Sequence, residues 1–192
     1  MITKEQARKN LSDIKEILDN LGIIFYLDGG TLLGAYRDND FCLQDQDDID
    51  LTTDIKNWVK VNRAIKLAEK KGFEVYHIWD RKKYEKRLGS PCTSQISFKR
   101  DEGKVDLMFK RKKGEYQWWT IFKGKNVVYK KIPYSFVEEL TKIPFYGEDH
   151  YIPKKIDEYL SWRYGDWRTK IHRFDYNCYT SDKSIVNSYE EI

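Results

Sequence analysis

Near the start of the chain the hydrophobic positions fall on one helical stripe. Ala7, Leu11, Ile14, Leu18 and Leu21 recur at steps of three and four, the spacing that lines one face of an α-helix. Thr3 with Gln6 makes a capping-box signature ahead of it, and Gly22 can close it. The apolar run Ile23 to Leu27 then predicts a strand that feeds Asp28-Gly29-Gly30-Thr31, with a short helix over Thr31 to Tyr36. Arg37-Asp38-Asn39-Asp40 predicts a turn, and Asp45-Gln46-Asp47 leads into a strand over Asp48 to Thr53. Trp58, Val61, Ile65 and Ala68 place a helix over Asn57 to Lys71, ended by Gly72, and Phe73 to Trp79 alternates as a strand does.

The pattern then changes. Asp80 to Ser90 is polar and basic and predicts no definite element. Gln95 to Lys99, Lys104 to Phe109, Tyr116 to Phe122 and Val127 to Ile132 predict successive strands, with hairpin turns at Asp101-Glu102-Gly103 and Lys123-Gly124-Lys125-Asn126. A short helix over Ser135 to Leu140 and a strand pair, Ile143 to Tyr146 and His150 to Ile152, follow Pro133. Pro153 opens a last helix, Lys154 to Tyr164, and Gly165 closes it. Ile156, Leu160 and Tyr164 of that helix face the core, and Tyr159 and Trp162 fall on other faces. The stretch after Phe174 is polar and is expected to be loosely held. No repeat or linker interrupts the pattern. The expectation is a single α+β domain over 1–175 with a polar C-terminal tail over 176–192.

Composition narrows the classes. With 192 residues, 40% of them hydrophobic and 15% aromatic, the chain can bury one sizeable core, which argues against disorder. A formal net charge of +4 suits an anionic ligand without demanding nucleic acid. Cys42, Cys92 and Cys178 are odd in number and far apart, which fits a reducing, cytoplasmic setting better than a disulfide framework. The polar start MITKEQARKN predicts no signal peptide, and the longest apolar run is far too short to span a bilayer.

The chemistry-bearing residues come in three pieces. Gly29-Gly30, at a strand-to-helix turn, would let the backbone approach a ligand and offer helix-start N–H groups to a phosphate, although a tight turn without a ligand reads the same way. Asp48 and Asp50 alternate with Ile49 and Leu51, so both acids share one face of a half-buried strand. Adjacent carboxylates repel, and a divalent cation between them is the simplest remedy; oxygen ligands alone suit Mg²⁺ or Mn²⁺. Asp106 stands alone within Val105-Asp106-Leu107-Met108-Phe109. It is either an edge charge that discourages aggregation or the third acid of a metal cluster.

The order of these pieces resembles the nucleotidyltransferase superfamily, although the gap between Gly30 and Asp48 is longer than is usual there. Leu27-Asp28-Gly29-Gly30-Thr31-Leu32-Leu33-Gly34-Ala35-Tyr36-Arg37, followed by Asp47-Asp48-Ile49-Asp50, is similar to the LicD/fukutin family within it. So is the stretch from Ile152-Pro153 to Arg163-Tyr164-Gly165-Asp166-Trp167. Gln46 stands where that family often has another carboxylate, and Met108 where an Ile-Phe-Pro run is frequent.

The resemblance implies a nucleotidyltransferase-like mixed sheet with flanking helices. It also implies a metal-dependent transferase that moves a phosphocholine- or phosphoalditol-type substituent from a CDP-activated donor to a glycan or lipid-linked glycan hydroxyl. In that scheme Asp48, Asp50 and Asp106 bind the metal, and Asp106 serves as ligand or general base. Gly29, Gly30 and Thr31 hold phosphate, and Arg37 steadies the departing CMP, unless it is spent on Asp38 or Asp40. Two other functions remain open: transfer of NMP from an NTP onto RNA or protein, and a non-catalytic basic binding module.

Other features weigh less. His77, His150 and His172 lack ligand spacing and are expected to be structural. The basic groups at Lys82, Lys83, Lys86 and Arg87, and at Lys110 to Lys113, are expected at solvated loops and strand ends, with attraction of a polyanionic acceptor or nucleic acid as the alternative. Of Trp118 and Trp119, one is expected in the core, with the other free to stack on a sugar or base.

Overall fold

The computed structural model describes residues 2–42, 47–123, 126–170 and 182–192. Asp45, Gln46, Gly124, Lys125, His172, Phe174 and Cys178 lie outside the described residues. Helix α1, Lys4–Asn20, starts at the expected capping box: Thr3 N donates to Gln6 Oε1 at 2.9 Å and Gln6 N to Thr3 Oγ1 at 3.2 Å. Its buried stripe includes Ala7, Leu11, Ile14 and Leu18. Strand β1 is Phe25–Leu27, helix α2 Gly29–Asp38 and strand β2 Asp48–Asp54. The helix expected over Asn57 to Lys71 divides into a 3₁₀ segment, Ile55–Lys60, and α3, Val61–Lys70.

Strand β3, Glu74–Trp79, is followed by a helix where none was predicted: α4, Arg81–Leu88. Its signals were present. Asp80 caps it by accepting from Lys82 N at 2.8 Å, and Gly89 ends it at φ 68°. Strands β4, Ser94–Arg100, β5, Gly103–Lys113, β6, Tyr116–Lys123, and β7, Asn126–Pro133, each extend the expected spans. The helix expected at Ser135 to Leu140 is one 3₁₀ turn, Tyr134–Phe136. Strands β8, Leu140–Phe145, and β9, Glu148–Pro153, form a separate hairpin. Pro153 therefore ends a strand rather than opening a helix, and α5 is Ile156–Tyr164.

The main sheet is mixed. β1 pairs antiparallel with β2, and β2 pairs parallel with β5. The first part of β5 also carries β4 antiparallel, with β3 beyond it, and its end carries β6, then β7. Ile49, Leu51, Val105 and Leu107 are essentially inaccessible on the face that packs against α1. Each buried aliphatic side chain of this kind contributes about 1.5–3 kcal/mol. A one-residue slip of β2 would exchange Ile49 and Leu51 for Asp48 and Asp50, so apolar burial fixes the register that turns the acids to the opposite face.

Polarity did not keep the end of the chain off the sheet. Strand β10, Ile185–Val186, pairs with β7, Lys131 N donates to Ser184 O at 2.7 Å, and Tyr189 packs edge-on against Trp118 at 5.1 Å. Trp118 and Trp119 are both buried, so neither presents a stacking face to a ligand. His150 is buried as well, and desolvation pushes its pKa down to about 4, in keeping with a structural role. No helix among the described residues is long and apolar enough to cross a membrane.

Candidate active site

The three acids singled out in the sequence meet on one face of the sheet. In the parallel pairing of β2 with β5, Asp48 lies opposite Lys104 and Asp50 opposite Asp106. One ligand oxygen from each of Asp48, Asp50 and Asp106 lies within 4.8 Å of the other two. Asp106 is 7% exposed, and its Oδ1 is buried without a hydrogen-bond partner among the described residues. A buried, unsatisfied carboxylate oxygen is costly unless something positive meets it. Burial raises the Asp48 pKa most; Lys104 pulls it back, Asp106 adds to the rise, and the net direction is upward. Three converging carboxylates with oxygen donors only therefore fit Mg²⁺ or Mn²⁺.

Lys104 was not anticipated. Its Nζ lies 3.1 Å from Asp48 Oδ1 and 3.0 Å from Asp106 Oδ2. Desolvation works against its charge, but Asp106 and Asp48 more than compensate and raise its pKa. Its place could have been found from the sequence: two residues before Asp106 on a strand means the same face.

The glycine turn adjoins this cluster. Asp28 caps α2, its Oδ1 accepting from Gly29 N at 2.8 Å. Gly29 has φ +53°, and a Cβ there would sit 2.1 Å from Asp50 Oδ2, so only glycine fits. Asp50 N donates to Thr31 Oγ1 at 2.9 Å, which ties the start of α2 to β2. The Thr31 side chain is thus engaged with backbone, while the first-turn N–H groups of Gly30 and Thr31 have no carbonyl four residues back within the helix. Gly34 brings α2 against the chain that follows; a Cβ there would meet Asp40 O and Cys42 N, each at 2.5 Å.

Arg37 is tied down on the far end of α2. It pairs with Asp38 at 2.8 Å, and its Nη1 donates to Trp167 O at 3.2 Å. Asp38 also meets Lys170 Nζ at 2.8 Å. Asp40 instead pairs with Lys4 and accepts from the Tyr146 hydroxyl.

Beneath the turn lies a buried polar cluster that the sequence reading missed. Asp28 is inaccessible and takes Lys110 Nζ at 2.6 Å, Thr52 Oγ1 at 2.7 Å, Arg163 Nη1 at 3.3 Å and the Tyr159 hydroxyl. Burial opposes the charge on Asp28, but Lys110 and Arg163 hold its carboxyl well below the usual carboxylate range. Burial pushes Lys110 down to about 8, against the pull of Asp28. Lys110 sits 3.8 Å over the Trp119 ring. It is therefore no solvated strand end, and Tyr159 points into the core rather than away from it. The other members of that basic run are also engaged: Arg111 pairs with Glu85 at 3.0 Å, and Lys112 lies over the Tyr134 ring. Lys82, Lys83, Lys86 and Arg87 are exposed on α4, as expected.

Comparison with known proteins gives the family and the fold. The family model for the LicD/FKTN/FKRP nucleotidyltransferase domain matches residues 22–155. No curated protein matches the chain. Two solved structures of ANT(2″)-Ia are similar in fold. One is its crystal structure in complex with adenylyl-2″-tobramycin, with 13% identity, a TM-score of 0.53, and 93% of this chain and 87% of that chain covered. The other is a solution structure of that antibiotic-resistance factor, also with 13% identity and a TM-score of 0.53, covering 94% and 83%. The shared fold is a mixed α+β single domain, the class that the strand and helix pattern predicts.

Proposed function

Because this chain belongs to the LicD/FKTN/FKRP nucleotidyltransferase-domain family, an enzyme family, we propose that it transfers a phospho-substituent from a CDP-activated donor to a glycan hydroxyl. The substituent is of the phosphocholine or phosphoalditol type, and the acceptor is a glycan or lipid-linked glycan. The observation that carries this reading is the convergence of Asp48, Asp50 and Asp106 beside a glycine turn.

Asp48, Asp50 and Asp106 would hold Mg²⁺ or Mn²⁺, which when bound supplies positive charge against the donor's diphosphate. The N–H groups of Gly30 and Thr31 bind a phosphate oxygen, and Gly29 gives the turn its close approach. Arg37 is spent on Asp38 and Trp167 O, the alternative left open in the sequence, and is given no part in steadying the departing CMP. As the acceptor oxygen bonds to phosphorus and the bond to CMP breaks, Asp106 either takes the hydroxyl proton or serves as a ligand.

Incubation with Mg²⁺ and CDP-choline, CDP-ribitol, CTP or ATP tests the reaction class. Release of CMP from a CDP-linked donor is expected. Release of pyrophosphate from a nucleoside triphosphate, with no CMP from the CDP donors, would instead establish NMP transfer onto RNA or protein. The nucleotidyl half of that second reading, though not its RNA or protein acceptor, has a counterpart in the similar fold solved with an adenylylated aminoglycoside.

Gly29→Ala supplies a sharper test of the site. The added methyl displaces the Asp50 carboxylate, and misplacing a catalytic group by about 1 Å can cost about 10²-fold in rate. Turnover should fall about a hundredfold, with the circular dichroism spectrum unchanged. Full activity in this variant would show that the turn and Asp50 do not work together.

A further inference from the structure

Lys104 has a place in the acid cluster that the proposed reaction does not use. It is fixed there by strand register, opposite Asp48 and two residues from Asp106 on the same face. Its ammonium bridges Asp48 Oδ1 at 3.1 Å and Asp106 Oδ2 at 3.0 Å. Asp106 thereby divides its two oxygens. Oδ2 is committed to Lys104, and Oδ1 is buried with no hydrogen-bond partner among the described residues.

We propose that Lys104 is a built-in cation of the catalytic centre, taking the place of a second metal ion, so that the three carboxylates hold one divalent ion beside it. Charge argues the same way. Three ionised carboxylates are neutralised by one ammonium and one divalent ion together. A second divalent ion would have to displace the ammonium from the two acids it bridges. With Asp106 Oδ2 held by the ammonium, Asp106 Oδ1 is the oxygen of that residue that would meet the single ion. Lys104 is a positioning residue in this account: it sets how many ions the acids accept.

This inference rests on the metal-dependent reading above, and the test separates the two. Protein stripped with a chelator is titrated with Mn²⁺ in the absence of any donor, by calorimetry and by loss of the free-Mn²⁺ paramagnetic resonance signal. The wild type should take one Mn²⁺ per chain. Lys104→Gln and Lys104→Met should each take two, and Lys104→Arg, which keeps the charge, should take one. Thermal melts show which variants fold, and either neutral variant suffices. Two ions in the wild type, or one in a folded neutral variant, would overturn the role of Lys104 while leaving the metal-dependent reading standing. No Mn²⁺ bound by any folded protein would overturn both.

Discussion

Asp106→Asn should lower turnover by about 10³-fold, equivalent to about 4 kcal/mol of lost transition-state stabilisation, and should leave the protein at least as stable as the wild type. The two halves of this result have one cause. Asp106 lies in a crowd of like charges, and it helps to raise the Asp48 pKa. An amide of the same shape removes that repulsion, so the fold relaxes while the proposed metal centre loses one of its three carboxylates. Lys104 keeps its contact with Asp48. CMP release under saturating Mg²⁺ reads the first half, and the midpoint of thermal unfolding reads the second. Near-normal turnover would remove Asp106 from the mechanism. A midpoint several degrees lower would show that the acid is there for the fold.

Lys110→Met should have the opposite profile, a large loss of stability. Asp28 and Lys110 are each inaccessible and 2.6 Å apart, and stripping one partner from such a pair typically costs about 3–5 kcal/mol because the remaining charge is stranded. Arg163 still reaches Asp28 at 3.3 Å and softens the loss, so about 3 kcal/mol is expected from urea unfolding. The double variant Asp28→Asn with Lys110→Met should recover part of it, since that pair is then removed whole and only Arg163 loses its carboxylate. Equal unfolding midpoints for Lys110→Met and the wild type, or a double variant as unstable as the summed singles, would contradict the pairing.

The acid centre was legible because its signal is local. Asp48 and Asp50 carry their own alternation with Ile49 and Leu51, and Asp106 announces itself inside an apolar strand. Register then needed only apolar burial to bring β2 and β5 together with the acids outward. The Asp28 cluster was illegible for the converse reason. Its members are 82 and 135 positions apart along the chain, and Lys110 begins a run, Lys-Arg-Lys-Lys, that by composition belongs in solvent. Only a partner supplied from elsewhere makes burying that lysine tolerable. Helix α4 was lost because Tyr84 and Leu88 are its only residues with apolar bulk, too few to make a stripe, so periodicity was silent and only the caps spoke. Trp118 and Trp119 alternate across their strand, yet both sides of that strand are covered, one by Lys110 and Arg163 and the other by Tyr189 and Arg111.

Strand β5 has one more implication. Its first part bears Asp106 between β2 and β4, and its last three residues carry β6. A single uninterrupted stretch of backbone thus runs like a keel through both halves of the sheet. Bending it to admit a bulky acceptor would shear Asp106 out of line with Asp50. Rigid movement of whatever hangs on the keel would leave Asp106 and Asp50 in register.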